Sequence, residues 1–347
     1  MKELRRAFKL AGRLLPGYTP KITKIWFETT DRCNSHCTNC NKWAQKPTED
    51  ILTPEEVYNM LSDPVFKDVE DIINSGGEPT TRDDLYELLI WEHFALPNAT
   101  IQLSTNGLLP GKVLFIVDLL LDVNPRLRME VGTSLDGIGT DHDKIRGVRG
   151  NFDRVDYLLT ELVKLRDNYG KDRLGVSFGT VLTDKTVDKI QDLQDYANKK
   201  DVGMLVQWYN QSSFYSNKED TPESREKMKE VVKGLDYTII SDMWCNWLDG
   251  KPIKFNCMAL QGFCAIKCNG DIVPCLNLWD TVVGNVRSTT PTKTFKYGIC
   301  RAIREMFIDR CEGCVNSWGT FWSFEADPIQ YVNYFIRHPI KLVRKLL

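Results

Sequence analysis

Three closely spaced cysteines offer the first chemistry: Cys33, Cys37 and Cys40, in the segment Asp31-Arg32-Cys33-Asn34-Ser35-His36-Cys37-Thr38-Asn39-Cys40. Thiolates at the spacing C-x3-C-x2-C can hold three irons of a cubic cluster and leave the fourth open to a substrate or cofactor. A closed zinc site needs a fourth ligand. His36 is available, but it lies inside the loop and cannot easily fold back. Eight further cysteines lie beyond residue 244: Cys245, Cys257, Cys264, Cys268, Cys275, Cys300, Cys311 and Cys314. In a reducing compartment so many thiols read as metal ligands before disulfides. Their segregation into two groups points to two metal sites.

In the second group, Gly262 to Cys275 reads as a hairpin with an Asn269-Gly270 turn, bracketed by Cys257 and Cys275. Cys311-Glu312-Gly313-Cys314 is a C-x2-C pair. Cys264 and Cys268 fall on one face of a hairpin strand because their spacing is even, and they read as packing residues. Cys245 and Cys300 carry no pattern and read as structural.

The elements that must position these residues form a βα alternation. Strands are expected at Lys24–Thr30, Val69–Asn74, Thr100–Ser104, Arg128–Ser134, Leu174–Val181 and Met204–Tyr209, mostly as apolar runs suited to a sheet covered on both faces. Thr53-Pro54-Glu55-Glu56 opens a helix with an N-cap, a Pro at the first helical position and a capping-box Glu. Other helical patterns run near 82–94, 111–123, 151–168 and 184–200. The alternation predicts a parallel α/β sheet, and six βα steps predict a partial (β/α)6 barrel rather than a closed eight-stranded one.

Ligands of such sheets bind at the carboxyl ends of the strands, and motifs sit there. The cysteine loop follows the first strand, and Ser75-Gly76-Gly77-Glu78-Pro79 follows the second. There the glycines allow close approach of a ligand and Glu78 offers an acceptor for an ammonium group. Ser104-Thr105-Asn106-Gly107 ends the third strand. Ser134-Leu135-Asp136-Gly137 ends the fourth, followed by His142-Asp143-Lys144-Ile145-Arg146-Gly147. Singly, each is a common turn or an exposed charge. Their joint order is far more specific.

Together these motifs resemble the radical S-adenosylmethionine (radical SAM) superfamily over nearly the whole chain, in the branch with a C-terminal SPASM or shortened Twitch domain. The resemblance implies a 4Fe–4S cluster on Cys33, Cys37 and Cys40, whose open iron is chelated by the amino and carboxylate groups of S-adenosylmethionine. It implies that Gly76, Gly77 and Glu78 receive the methionine amine. Ser134 and Arg146 match positions that hold the ribose or the carboxylate, and Asn106 borders the cofactor. Arg suits a carboxylate because its fork pairs bidentately. One departure is Asn39, where the superfamily often carries an aromatic residue near the adenine; Trp43 or Phe27 is the expected substitute. The C-x12-G-x4-C pattern followed by C-x2-C is similar to the first half of a SPASM domain. With no cysteine after Cys314, it implies one auxiliary 4Fe–4S cluster on Cys257, Cys275, Cys311 and Cys314. Zinc on the same four ligands is the alternative.

By the same resemblance the reaction starts with an electron from the first cluster, which cleaves S-adenosylmethionine to a 5′-deoxyadenosyl radical that takes a substrate hydrogen. An auxiliary cluster with four thiolates suits electron acceptance, hence a two-electron oxidation by an oxidoreductase, with flavodoxin or ferredoxin as external electron donor. Similar proteins oxidise cyclitols, mature sulfatases or cross-link ribosomal peptides. Only 23 residues precede the first strand, too few for a peptide-recognition domain. The expected substrate is therefore a small-molecule sugar or cyclitol, or a lipid-linked one. A peptide maturase is the alternative, and a non-catalytic iron–sulfur or zinc scaffold the reading from another class. Substrate contacts are expected at Ser177 to Thr180 and Gln207 to Asn210.

The 347 residues are 42% hydrophobic and 27% charged with net charge −2, which offers no bulk attraction to nucleic acid. No apolar run approaches membrane-spanning length, and no signal-peptide core is present, so a cytoplasmic protein is expected. Both ends are basic and amphipathic. Leu4, Ala7, Phe8, Ala11, Leu14 and Leu15 recur at helical spacing among Lys2, Arg5, Arg6, Lys9 and Arg13, and the end reads Pro339-Ile340-Lys341-Leu342-Val343-Arg344-Lys345-Leu346-Leu347. These helices either dock on an anionic membrane at the inner face or pack on the barrel. The expected organisation is an N-terminal helix (1–23), the barrel (24–215), a helical linker (216–244), the auxiliary domain (245–325) and a C-terminal helix (326–347).

Overall fold

The computed structural model describes residues 21–208, 222–235, 239–251, 253, 255–296, 299–308, 314–327 and 329–337. Strands β1 (Lys24–Thr30), β2 (Asp71–Gly76), β3 (Thr100–Thr105), β4 (Arg128–Ser134), β5 (Leu174–Leu182) and β6 (Gly203–Trp208) pair in parallel, each with the next. Between them run helices α1 (Pro54–Leu61), α2 (Leu85–Ala95), α3 (Pro110–Val123), α4 (Thr140–Arg146), α5 (Asn151–Tyr169) and α6 (Ile190–Lys200). The start of α1 carries the expected capping box: Thr53 accepts from the Glu56 N–H and Glu56 accepts from the Thr53 N–H.

The sheet has two unlike faces. Ile25, Phe27, Ile72, Ile101, Leu103 and Phe178 are fully buried toward the helices, as the Phe178–Tyr196 ring contact between β5 and α6 illustrates. The opposite face carries Gln102, Ser104, Glu130, Ser134, Ser177 and Gln207, all half-buried. Gly132, Gly175, Gly179 and Gly203 lie among them on this lumen face. At the amino end of the strands Lys24 pairs with Asp71, and with Glu325 at 3.4 Å.

Beyond the barrel come α7 (Pro222–Gly234) and α8 (Ile239–Leu248), the latter running through the expected linker boundary at residue 244. The hairpin forms as expected from β7 (Phe263–Ile266) and β8 (Asp271–Val273), with Gly270 at φ +89° in its turn; β9 (Gly284–Asn285) adds antiparallel to β8. It does not stand apart from the barrel. β7 pairs in parallel with β1, giving one nine-stranded sheet of order β6-β5-β4-β3-β2-β1-β7-β8-β9. Helices α9 (Pro291–Lys296), α10 (Ile299–Ile303), α11 (Ser317–Ala326) and α12 (Ile329–Arg337) complete the described chain. Residues 1–20 and 338–347, which hold most of the expected terminal helices, lie outside the described residues.

Candidate metal and cofactor site

The cysteine loop leaves β1 and is gripped from two sides. On one side the Gly77 and Glu78 N–H groups donate to the carbonyls of Thr30 and Arg32, each at 2.7 Å. A Cβ on Gly77 would lie 2.1 Å from the Arg32 oxygen, so only glycine permits this approach. On the other side the carboxyl end of α4 accepts from the loop: His36 N–H to the Arg146 carbonyl (3.1 Å) and Thr38 N–H to that of Ile145 (2.9 Å). Gly147 ends α4 in the left-handed region, and a Cβ there would meet the His36 carbonyl at 2.3 Å.

Burial pushes the Cys33 thiol up to about 11 and also raises Cys40. Bare thiolates are disfavoured here, and neutralisation by bound iron would offset that penalty. Among the described residues no three His, Cys, Asp or Glu side chains converge as a single ion requires. A cubic cluster asks instead for thiolates at separate corners.

Around the loop stand the other expected residues. Glu78 is 1% exposed and fixes β2 to β3. Its Oε1 accepts from the Thr80 N–H (3.1 Å), the Thr80 hydroxyl (2.6 Å) and the Thr105 hydroxyl (2.7 Å), and its Oε2 from the Asn106 N–H (2.6 Å). Burial raises the Glu78 carboxyl while these bonds oppose the rise. An ammonium group would therefore meet the remaining capacity of Oε2 and the backbone carbonyls of the segment, not an empty carboxylate. Asn106 borders the cysteine loop, donating to Asn34 Oδ1 (2.7 Å) and Ser35 Oγ (3.1 Å). Ser134 is half-buried on the lumen face of β4.

Arg146 lies against Asp136, with Nη1 3.3 Å from its Oδ2. Burial opposes the guanidinium charge, but Cys37, Asp136, Cys40 and Cys33 outweigh it and raise the Arg146 pKa, which places all three thiols in its field. Its Nε is buried without a partner. An unmet donor beside the cysteine loop fits the carboxylate of an amino acid-bearing cofactor.

A buried network that the sequence did not assign ties these parts together. The Asp136 N–H donates to His142 Nδ1 (3.1 Å), which leaves the proton on Nε2 to meet Asn151 Oδ1 (3.2 Å). Asn151 Nδ2 in turn donates to the Asn106 carbonyl (3.0 Å). Burial, then the charge of Arg146, pushes His142 down to about 4 and keeps it neutral. Asp143 caps α5, accepting from the Gly150 (2.6 Å) and Phe152 (2.9 Å) N–H groups. The available signal was His142-Asp143 within the segment after β4, polar residues at the start of a short helix.

Of the two aromatic substitutes for position 39, Phe27 is excluded. It is fully buried on the helix side of β1. Trp43 is 41% exposed, its ring 5.0 Å from His36 and its Nε1 donating to the Cys37 carbonyl at 3.4 Å. Of the expected substrate contacts, Ser177 faces the lumen, whereas Thr180 is buried and donates to Asp136 at 3.2 Å. Tyr209 and Asn210 lie outside the described residues.

At the second cysteine group, Asn277 Nδ2 reaches the Cys314 sulfur at 3.6 Å, which brings Cys314 to the segment that follows Cys275. Arg304 donates to the carbonyls of Cys257 (3.0 Å) and Ala259 (2.6 Å). Cys275 lines a small apolar cavity with Trp26, Cys264, Trp318 and Trp322. Cys311 lies outside the described residues. Cys264, Cys268 and Cys300 are buried, as expected of packing residues, while Cys245 is half-buried.

Residues 27–197 match the model of the Radical SAM superfamily, and the chain carries a radical SAM domain over that range. Among curated proteins it is similar to "Fe-coproporphyrin III synthase" of Methanosarcina barkeri, 35% identical over 43% of this chain and 36% of that protein. It is also similar to "Pre-heme d1 synthase" of Dinoroseobacter shibae, 30% identical over 46% of this chain and 44% of that one. The chain thus spans less than half the length of either relative. In fold it is similar to Streptococcus suis SuiB bound to precursor peptide SuiA, with TM-score 0.63 and 17% identity over 88% of this chain and 72% of that one. No described helix is long and apolar enough to cross a membrane.

Proposed function

We propose that the chain is a radical SAM oxidoreductase with two 4Fe–4S clusters, one on Cys33, Cys37 and Cys40 and one auxiliary, on Cys257, Cys275, Cys311 and Cys314. It oxidises a small sugar- or cyclitol-like or lipid-linked substrate by two electrons and passes one of them to the auxiliary cluster. When bound, the first cluster and S-adenosylmethionine supply a radical able to take hydrogen from an unactivated C–H bond. The supporting observation is convergence. Glu78, Asn106 and the carboxyl end of α4 all bond to one cysteine loop at the strand ends, and Gly77 bonds to the end of β1 that leads into it.

In this reading the residues of the chain bind and orient. Arg146 offers its unmet Nε to the methionine carboxylate, and the Gly76-Gly77-Glu78 segment offers acceptors to the amine. Ser134 meets the ribose, and Trp43 covers the adenine in place of the residue at 39. Gln102, Ser104, Glu130 and Ser177 give the lumen a polar wall that suits a hydroxyl-rich substrate. Positioning of the substrate carbon and exclusion of water are the contributions asked of the barrel.

The test is anaerobic reconstitution with iron and sulfide, scoring iron per chain and 5′-deoxyadenosine formed under reductant. Two clusters predict about eight irons, falling to about four in a Cys33/Cys37/Cys40→Ala variant that makes no 5′-deoxyadenosine. Zinc in place of half the iron would remove the electron acceptor from the reading.

A further inference from the structure

Glu28 stands on the same face of β1 as Trp26, where the cysteine loop meets the C-terminal hairpin. Its carboxylate is buried, and each oxygen takes a donor from a different side. Oε1 accepts from the Lys42 ammonium, two residues beyond Cys40. Oε2 accepts from the Cys268 N–H, just past β7, at 3.3 Å. Backbone pairing of β1 with β7 stops at Phe27 and Ile266, so the Glu28 side chain carries the connection one step further.

Lys42 is also buried and makes a second contact, its Nζ lying 5.0 Å from the centre of the Trp279 ring. Lys267 places its own Nζ 5.3 Å from the same ring, and Trp279 packs edge-on against Trp26 at 5.3 Å. Trp279 follows Cys275 by four residues, and Trp26 lines the same small cavity as Cys275. Two indole rings and one buried ion pair thus bridge the segments that carry Cys40 and Cys275. Burying the pair costs the hydration of both charges, and apolar side chains of like volume would hold the fold as well. What the charges add is direction. An apolar contact can slide, whereas a carboxylate that accepts from both sides fixes each donor at one point, as does a cation over an aromatic face.

We propose that Glu28, Lys42 and Trp279 are positioning residues, a joint that sets the distance from the Cys40 end of the first cysteine loop to the Cys275 segment. The proposal rests on the two-cluster reading. There the substrate radical, formed beside the first cluster, gives its electron to the auxiliary one at a rate that falls steeply with their separation.

The test uses the full chain, reconstituted anaerobically with iron and sulfide. In Glu28→Gln/Lys42→Met both charges leave together, so the melting temperature should stay near that of the wild type. Amides of residues 41–44 and 268–279 should nevertheless exchange with deuterium about tenfold faster, on both sides of the joint. Pulsed EPR should give a narrow distribution of distances between the two reduced clusters in the wild type, lost in the double variant. Glu28→Gln alone guards against unfolding of that variant. Its one amide oxygen serves Lys42 or the Cys268 N–H but not both, so one segment should still be released. Unchanged exchange at 268–279 in the double variant, or a distance distribution as narrow as in the wild type, would overturn the proposal. About four irons in the wild type would instead fail the two-cluster reading, and the exchange rates would still decide the joint.

Discussion

Asn151, the first residue of α5, donates its side-chain amide to the backbone carbonyl of Asn106 at the end of β3, across 3.0 Å. Through this bond the neutral His142 ring and the Asn34–Ser35 part of the cysteine loop belong to one buried chain of donors and acceptors. Such a network is rigid only when every member is satisfied.

Asn151→Ala leaves the His142 Nε2–H and the Asn106 carbonyl without partners, at about 1–3 kcal/mol each. The melting temperature should drop and S-adenosylmethionine should bind several-fold more weakly, while iron at the N-terminal site stays at wild-type level. Equilibrium dialysis with the cofactor and an iron assay separate these outcomes. Loss of iron in step with binding would mean that the network holds the metal loop itself.

The grip on the cysteine loop predicts a different phenotype for two glycines. A methyl at Gly77 or Gly147 meets backbone oxygen at 2.1 Å or 2.3 Å. The loop must then move, and its thiolates leave the positions from which they would hold a cluster. Gly77→Ala and Gly147→Ala should each load about half the wild-type iron, with the C-terminal half retained. Full loading would show that the loop takes another path around the metal.

Arg146 predicts a split between charge and shape. Arg146→Ala leaves the buried Asp136 carboxylate short of its cation, a loss of about 3–5 kcal/mol for a buried pair. Arg146→Lys keeps the charge but not the fork. The Lys variant should retain most of the stability and still bind S-adenosylmethionine about tenfold more weakly, because a point charge does not reproduce a bidentate contact. Equal affinity in the Lys variant and the wild type would remove the carboxylate role.

Much of this was legible because it is local. Strands β1 and β4 fall at the expected residues, and each expected strand-end motif lies at a strand end. Strand β2 sits two residues later than expected. Ser75 and Gly76 look like turn residues, yet they extend the pairing with Glu28 and Thr30. Helix α4 went unseen because its seven residues make only two turns. The pairing of β7 with β1 was also invisible: parallel neighbours so far apart in sequence share no turn signal. Glu78 was read for its charge alone. Only the fold shows that three backbone and side-chain neighbours already consume most of its acceptor capacity.

Two buried titratable groups predict opposing pH slopes. Glu92 on α2 is fully buried, receives one bond from the Asn74 amide at 2.7 Å, and is pushed by burial from 4.5 up to about 8. Between those values the folded chain keeps a proton that the unfolded chain has released. The stabilisation is complete below about 4.5 and is lost as pH rises toward 8. His142 runs the other way. Its folded value of about 4 lies below the ordinary 6.5, so its contribution is present above 6.5 and lost as pH falls toward 4. The windows overlap and offset one another on the acid side, whereas from 6.5 to 8 only Glu92 of these two acts. There the wild type should lose up to about 1.4 kcal/mol per pH unit from this group. Glu92→Gln should flatten that limb, and His142→Gln should unmask the falling Glu92 slope between 4.5 and 6.5, where the two groups otherwise offset one another. Urea titrations at half-unit pH steps measure both, and an unaltered alkaline limb in Glu92→Gln would show that this carboxyl is ionised in the folded protein.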